Sequence, residues 1–181
     1  MSNKTHLVTN AAQCSFPNLF TAKASIEGAK EKYSVTILIP KTDTEEINKI
    51  NACYDAAIEE GISKKFGGKV PNKAALRPIL KDGDEKADTH PEFKGCYLLT
   101  ATSVNAPQVV DKYLEAITDP KAIVGGDLIR ISANLVAYNV GGQKGVSCYL
   151  QAAQLISKTD NPFGRSTVQS DFVAIEADNL L

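Results

Sequence analysis

Residues 128–156, "LIRISANLVAYNVGGQKGVSCYLQAAQLI", constrain the fold of this chain more than any other stretch. Apolar and polar side chains alternate on both sides of a glycine-containing turn, and period two is the signature of a half-buried strand. Ile129, Ile131, Ala133, Leu135 and Ala137 make the apolar face of the first arm, and Arg130, Ser132, Asn134 and Tyr138 its outer face. In the second arm Val146, Cys148, Leu150 and Ala152 are expected inside, with Ser147, Tyr149 and Gln151 outside. A slip of one residue would expose the whole apolar set, so the hairpin is expected to bury one face and present the other.

A second hairpin is expected over "FTAKASIEGAKEKYSVTILIP" (20–40), with its turn at Glu27-Gly28-Ala29-Lys30. Tyr33, Val35, Ile37 and Ile39 alternate there with Lys32, Ser34, Thr36 and Leu38, until Pro40 ends the run. The period then changes. Ile47, Ile50, Tyr54, Ala57 and Ile58 follow helical spacing, so 41–62 is expected to be a helix. Asp43 with Glu46, or Thr42 with Glu45, supplies a capping box, and Gly61 is the expected stop. Residues 63–94 have no period and are rich in Gly, Pro, Lys and Asp; so long a loop in a compact domain is usually functional. "GCYLLTATSV" (95–104) reads as a strand with Tyr97, Leu99, Ala101 and Ser103 on one face. "NPFG" at 161–164 marks the exit from the pattern. The chain therefore divides into a domain over 1–164 and a flexible, acidic and apolar tail over 165–181.

At 181 residues and 43% hydrophobic composition, one domain with a sizeable core is affordable. The net charge of −1 excludes a protein that coats nucleic acid by bulk charge, but not one with a local basic groove. Cys14, Cys53, Cys96 and Cys148 form no C-x-x-C pair, and neither His6 nor His90 lies near a cysteine, so no metal site is expected. The N-terminus lacks the apolar core of a signal peptide and no apolar run is long enough to span a bilayer; a cytoplasmic protein with reduced thiols, not bound to a membrane, is expected. No nucleophile elbow, phosphate loop or dinucleotide fingerprint is present. "GGQKGV" (141–146) lacks the Gly-Lys-Ser/Thr ending and sits in a hairpin, and Asp82-Gly83 is better read as a turn than as a calcium loop.

Binding chemistry is better supplied. Single-stranded nucleic acid asks a protein for cations along the backbone path and flat side chains for the bases. Lys64, Lys65, Lys69, Lys73, Arg77 and Lys81 fall within eighteen residues with no acid between them. Lys23, Lys32, Arg130 and Lys144 lie in or beside strands. Tyr97, Tyr138 and Tyr149 are strand aromatics, the last two on polar faces, whereas Tyr33 shares a face with Val35 and Ile37 and is expected in the core.

The ordered segments "FPNLFTAKA", "KYSVTILIPK", the helix, "LRPILKDGDE", "PEFKGCYLLTATS", "PQVVDK", "ITDP", the 125–156 hairpin with its leading glycines, and "NPFG" resemble the single-stranded-DNA-binding proteins of tailed phages, over roughly residues 14–164. The resemblance implies an OB-fold-like domain, mainly β with one helix, built as a small antiparallel barrel with long loops. It implies ssDNA binding in phage replication or recombination, no enzymatic activity and no cofactor, in the cytoplasm of an infected or lysogenic bacterium. It also admits a homodimer. In OB-folds the helix usually follows the third strand; here it follows the second clear one, or the third if "THLVTN" pairs. Other ssDNA-binding proteins carry an acidic tail that recruits replication or recombination partners, which would fall here on Asp171, Phe172, Glu176 and Asp178, though this tail ends in two leucines. Two rival readings stand beside this one: a virion or scaffold subunit, and a Mg²⁺-dependent nuclease using Asp82, Asp84 and Glu85.

Overall fold

A computed structural model describes residues 3–164. The strands are β1 (His6–Val8), β2 (Ala12–Lys23), β3 (Lys32–Pro40), β4 (Lys81–Asp82), β5 (Cys96–Ser103), β6 (Gln108–Val110), β7 (Leu128–Val140) and β8 (Gln143–Ser157). The single α-helix among the described residues, α1 (Thr44–Lys64), lies between β3 and β5.

Five of these strands close into a ring in the order β2-β3-β5-β8-β7, with β7 returning to β2. β2, β3 and β5 form an antiparallel meander, and β7 and β8 form the long hairpin. The ring closes through a parallel contact, Thr102 of β5 opposite Tyr149 of β8. A ring with an odd number of strands cannot alternate direction all the way round, so at least one neighbouring pair must be parallel. The barrel is therefore not wholly antiparallel, and the topology is that of the five-stranded OB barrel. "THLVTN" does pair: β1 flanks β7, while β6 runs parallel to the far side of β8 and β4 flanks β5. The helix connects the second and third barrel strands and packs chiefly on β7.

The barrel is filled by the alternation read above: Val35, Ile37 and Ile39, then Leu99 and Ala101, then Ile129, Ile131, Ala133 and Leu135, all nearly inaccessible. β8 departs from strict alternation. Ser132 faces Ala152 but Ala133 faces Leu150, so Gln151 is an extra residue and the inward set continues at Ala153 rather than Ala152. The β7–β8 turn needs positive φ at both central residues, which Gly141 (59°) and Gly142 (83°) provide. The four cysteines are free thiols, and burial pushes Cys14 and Cys148 up to about 12.

Asp43 caps the helix by accepting from the Glu46 amide, but Glu46 does not return the bond. Its buried carboxylate instead accepts from the Asn10 amide at 3.1 Å and pairs with Lys49 at 2.8 Å. Gly61 is not the stop expected from the sequence; the helix runs on to Lys64. A Cβ at Gly61 would lie 2.5 Å from Ala137 Cβ and 2.8 Å from the Phe66 ring, so the glycine lets the helix press against β7. Gly61→Ala raises helix propensity yet should lower stability by about 1–3 kcal/mol through overpacking. Urea denaturation checks the sign: a more stable variant would show that the contact relaxes.

Candidate nucleic-acid interface

The outward residues of β3 and β5 pair across the sheet as Ser34 with Thr102 and Thr36 with Thr100, and the two threonine hydroxyls lie 2.9 Å apart. Asn18 of β2 reaches Ser34 Oγ at 3.3 Å. The result is a small, polar, uncharged floor. Three adjoining clefts of about 390, 200 and 420 Å³ follow one another, the first two along this floor and the third beyond it. The first lies between that floor and the β2–β3 loop, where Lys23, Lys30 and Lys32 stand. The second shares Thr100 and Thr102 with the first and adds Arg77, Lys81, Tyr138 and Ser147. The third shares Arg77 and Tyr138 with the second and ends at Gly142, Gln143 and Lys144 of the β7–β8 turn. Among the described residues, six cations line the three clefts and no carboxylate does. None of the six forms an ion pair among the described residues. Such a surface concentrates positive potential where a polyanion can lie.

The 65–95 segment forms one wall, and it is anchored rather than loose. Leu76, Phe66 and Phe93 are buried, and Asn72 and Asp82 each cap a short 3₁₀ turn. Lys41 holds Asp82 at 2.7 Å and Asp84 at 2.6 Å, and Asp84 also accepts from the Gly95 amide. Hydrogen bonding to Lys41 pulls both carboxyls below the usual carboxylate range, so this clamp holds at neutral pH and is lost only as pH falls through those lowered values. Two of the three acids of the nuclease reading, Asp82 and Asp84, are thus engaged by an ammonium group, and no cluster of three metal-ligating side chains occurs among the described residues. No helix of the described residues is long and apolar enough to cross a membrane.

Strand alternation puts Tyr138 on the outer face, and the glycine opposite makes room for its ring. A Cβ on Gly145 would stand 2.5 Å from the Tyr138 hydroxyl, so the ring lies flat across β8 at Gly145. Lys144 rides 5.8 Å above the Phe66 ring centre, which directs its chain along the cleft wall.

Of the residues expected from sequence, Lys23, Lys32, Arg77, Lys81, Tyr138 and Lys144 converge on this groove. Tyr149 shares the outer face, level with Thr102, and is 46% exposed beside the clefts. The others lie elsewhere. Arg130 shares a strand face with Tyr138 but stands eight residues away, about 26 Å along the strand; its Nε donates to the Thr9 carbonyl. Tyr97 has the inward parity of Leu99, packs partly against the core and lies under Lys41. Lys64 and Lys65 border a separate small cleft with Glu60 at the helix end, Lys69 lines none of the three clefts, and Lys73 is paired with Asp55 at 2.6 Å. Asp171, Phe172, Glu176 and Asp178 fall outside the described residues. The sequence reading missed Lys30, which the β2–β3 turn brings to the first cleft.

Comparison with known proteins agrees with this architecture. Over 156 residues the chain is 30% identical to putative protein p50 of Acyrthosiphon pisum secondary endosymbiont phage 1, covering 83% of each. Its fold matches the single-stranded DNA-binding protein of bacteriophage Enc34 in complex with ssDNA, with a TM-score of 0.73, 25% identity and coverage of 88% of this chain and 90% of that one. The single-stranded DNA binding protein gp2.5 of bacteriophage T7 shares the fold, with a TM-score of 0.63 at 14% identity over 99% of both chains. The family model described as the ssDNA-binding protein of Enterobacter phage Enc34 matches residues 5–181, and the chain belongs to that family.

Proposed function

We propose that this chain binds and protects single-stranded DNA during phage DNA replication or recombination, in the cytoplasm of the infected or lysogenic cell, largely without regard to sequence. The observation that carries the reading is the groove: among the described residues, six cations without an ion pair and no carboxylate surround a hydroxyl-covered floor on β3 and β5. In OB-folds the face of the second and third strands, with the loops joining strands 1–2 and 4–5, is where oligonucleotides bind, and here those loops carry Lys30 and Gly142. The cations follow the phosphates, while the small hydroxyls let the chain approach the sheet without selecting a base. Tyr138 offers a ring to one base. Replication or recombination proteins docking on 165–181 belong to the same proposal.

Tyr138→Ala should weaken binding of a dT oligomer about tenfold, the size of one stacking contact. Gly145→Ala should do nearly the same, because the added methyl displaces the ring, while the melting temperature changes little since a side-chain tip can move aside. Fluorescence anisotropy with a labelled oligomer reads both. Unchanged affinity in both variants would remove Tyr138 from the mechanism, and absence of ssDNA binding by the unaltered chain at low salt would end the proposal.

A further inference from the structure

Neither the barrel core nor the cationic clefts account for Phe16. The residue is 54% exposed, and its φ of 48° lies in the left-handed region, which non-glycine residues rarely adopt. Strict alternation from the inward Cys14 would send Phe16 into the barrel. The register shows why it does not: Ser15 faces Thr36 and Asn18 faces Ser34, so β2 carries one extra residue between them. Bulges of this kind re-aim a side chain.

The outward ring stands edge-on to His90, with centroids 5.3 Å apart and planes at 89°. His90 lies on Phe93 at 4.9 Å, and Phe93 is buried against Leu38 and Leu98. Those two leucines pair across β3 and β5 directly after Thr36 and Thr100, about 7 Å further along the same outer face. Asn18, which lines the first cleft, donates to the Phe16 carbonyl at 3.3 Å. The floor of the groove therefore continues into a shelf of rings held rigidly from below.

We infer that Phe16, braced by His90 and Phe93, is a base-stacking position for single-stranded DNA where the strand leaves the cationic clefts. This rests on the groove being the ssDNA path. Strain and exposure at one aromatic, beside a polyanion site, are what a flat unpaired base needs: a preset ring with nothing to displace.

The chain contains no tryptophan, so Phe16→Trp places a single reporter on the shelf. Its emission should be quenched as an end-labelled dT oligomer saturates the protein. Phe16→Ala should bind the same oligomer about tenfold more weakly, and that loss should vanish on an abasic oligomer of equal length. Saturation without any change in emission, or an equal loss on the abasic oligomer, overturns the stacking position and leaves the groove standing. Failure of the parent to bind either oligomer at low salt overturns both. Emission that varies with protein concentration and not with DNA assigns the ring to a second copy of the chain, and the inference fails.

Discussion

Replacing Arg77, Lys81 and Lys144 together by Gln should weaken binding of a dT oligomer by about a hundredfold at about 0.1 M salt. Each phosphate neutralised on a single strand releases roughly 0.7 counterion, so three lost contacts amount to about two decades in affinity at that concentration. The slope of log affinity against log salt should become shallower by about 2. The informative control is a second triple, Lys64, Lys65 and Lys69 to Gln. It removes the same net charge from the same sequence neighbourhood but from outside the three clefts. It should change affinity by no more than about threefold, because separated surface charges are screened within about 10 Å at such salt. Equal losses from the two triples would show that diffuse charge, not the groove, holds the strand.

Asp127→Ala should destabilise the fold by about 3 kcal/mol, because removing a fully buried carboxylate strips several groups of their acceptor. Asp127 is fully buried where β7 begins. Its carboxylate accepts from the amides of Val124 and Thr159, both at 2.9 Å, and from the Lys158 ammonium. It thereby ties the loop entering β7 to the chain leaving β8, next to the buried Cys14 on β2. Without it, two amides lose their acceptor in a dry site. The melting temperature should fall by roughly 6–12 °C for a domain of this size. Lys158→Met should cost less, because the lysine is half exposed and Asp127 keeps both amides. A larger loss from Lys158 than from Asp127 would mean that the ammonium, not the carboxylate, organises the junction.

The hairpin at 128–156 was legible because burial on one face of a strand leaves a period-two imprint, and β7 carries it without interruption. The bulge at Gln151 was not, because an extra residue changes no residue type, only the register against a partner. The helix was legible from its period and its Asp43 cap. Its end was misread at Gly61 because a glycine that stops a helix and one that admits a neighbouring strand look alike in sequence. The site was legible in its chemistry and only partly in its membership. Counting charge along 64–81 gathered six cations, of which the anchored wall delivers Arg77 and Lys81 to the groove and Lys73 to Asp55. Alternation put Arg130 and Tyr138 on one face, and the length of β7 then set them about 26 Å apart.

By itself, then, the sequence determined the local states: which segments alternate, where the period changes, which turn requires glycines, and that cations and exposed tyrosines outnumber any catalytic grouping. Those properties depend on neighbours within a few residues. Tertiary structure decided the parallel closure of the ring, the choice of the β3–β5 face as the floor, and which cations and rings meet there. Each of these depends on contacts between residues far apart in the chain, where the curl of the barrel and the register of its strands, rather than local composition, set the distances.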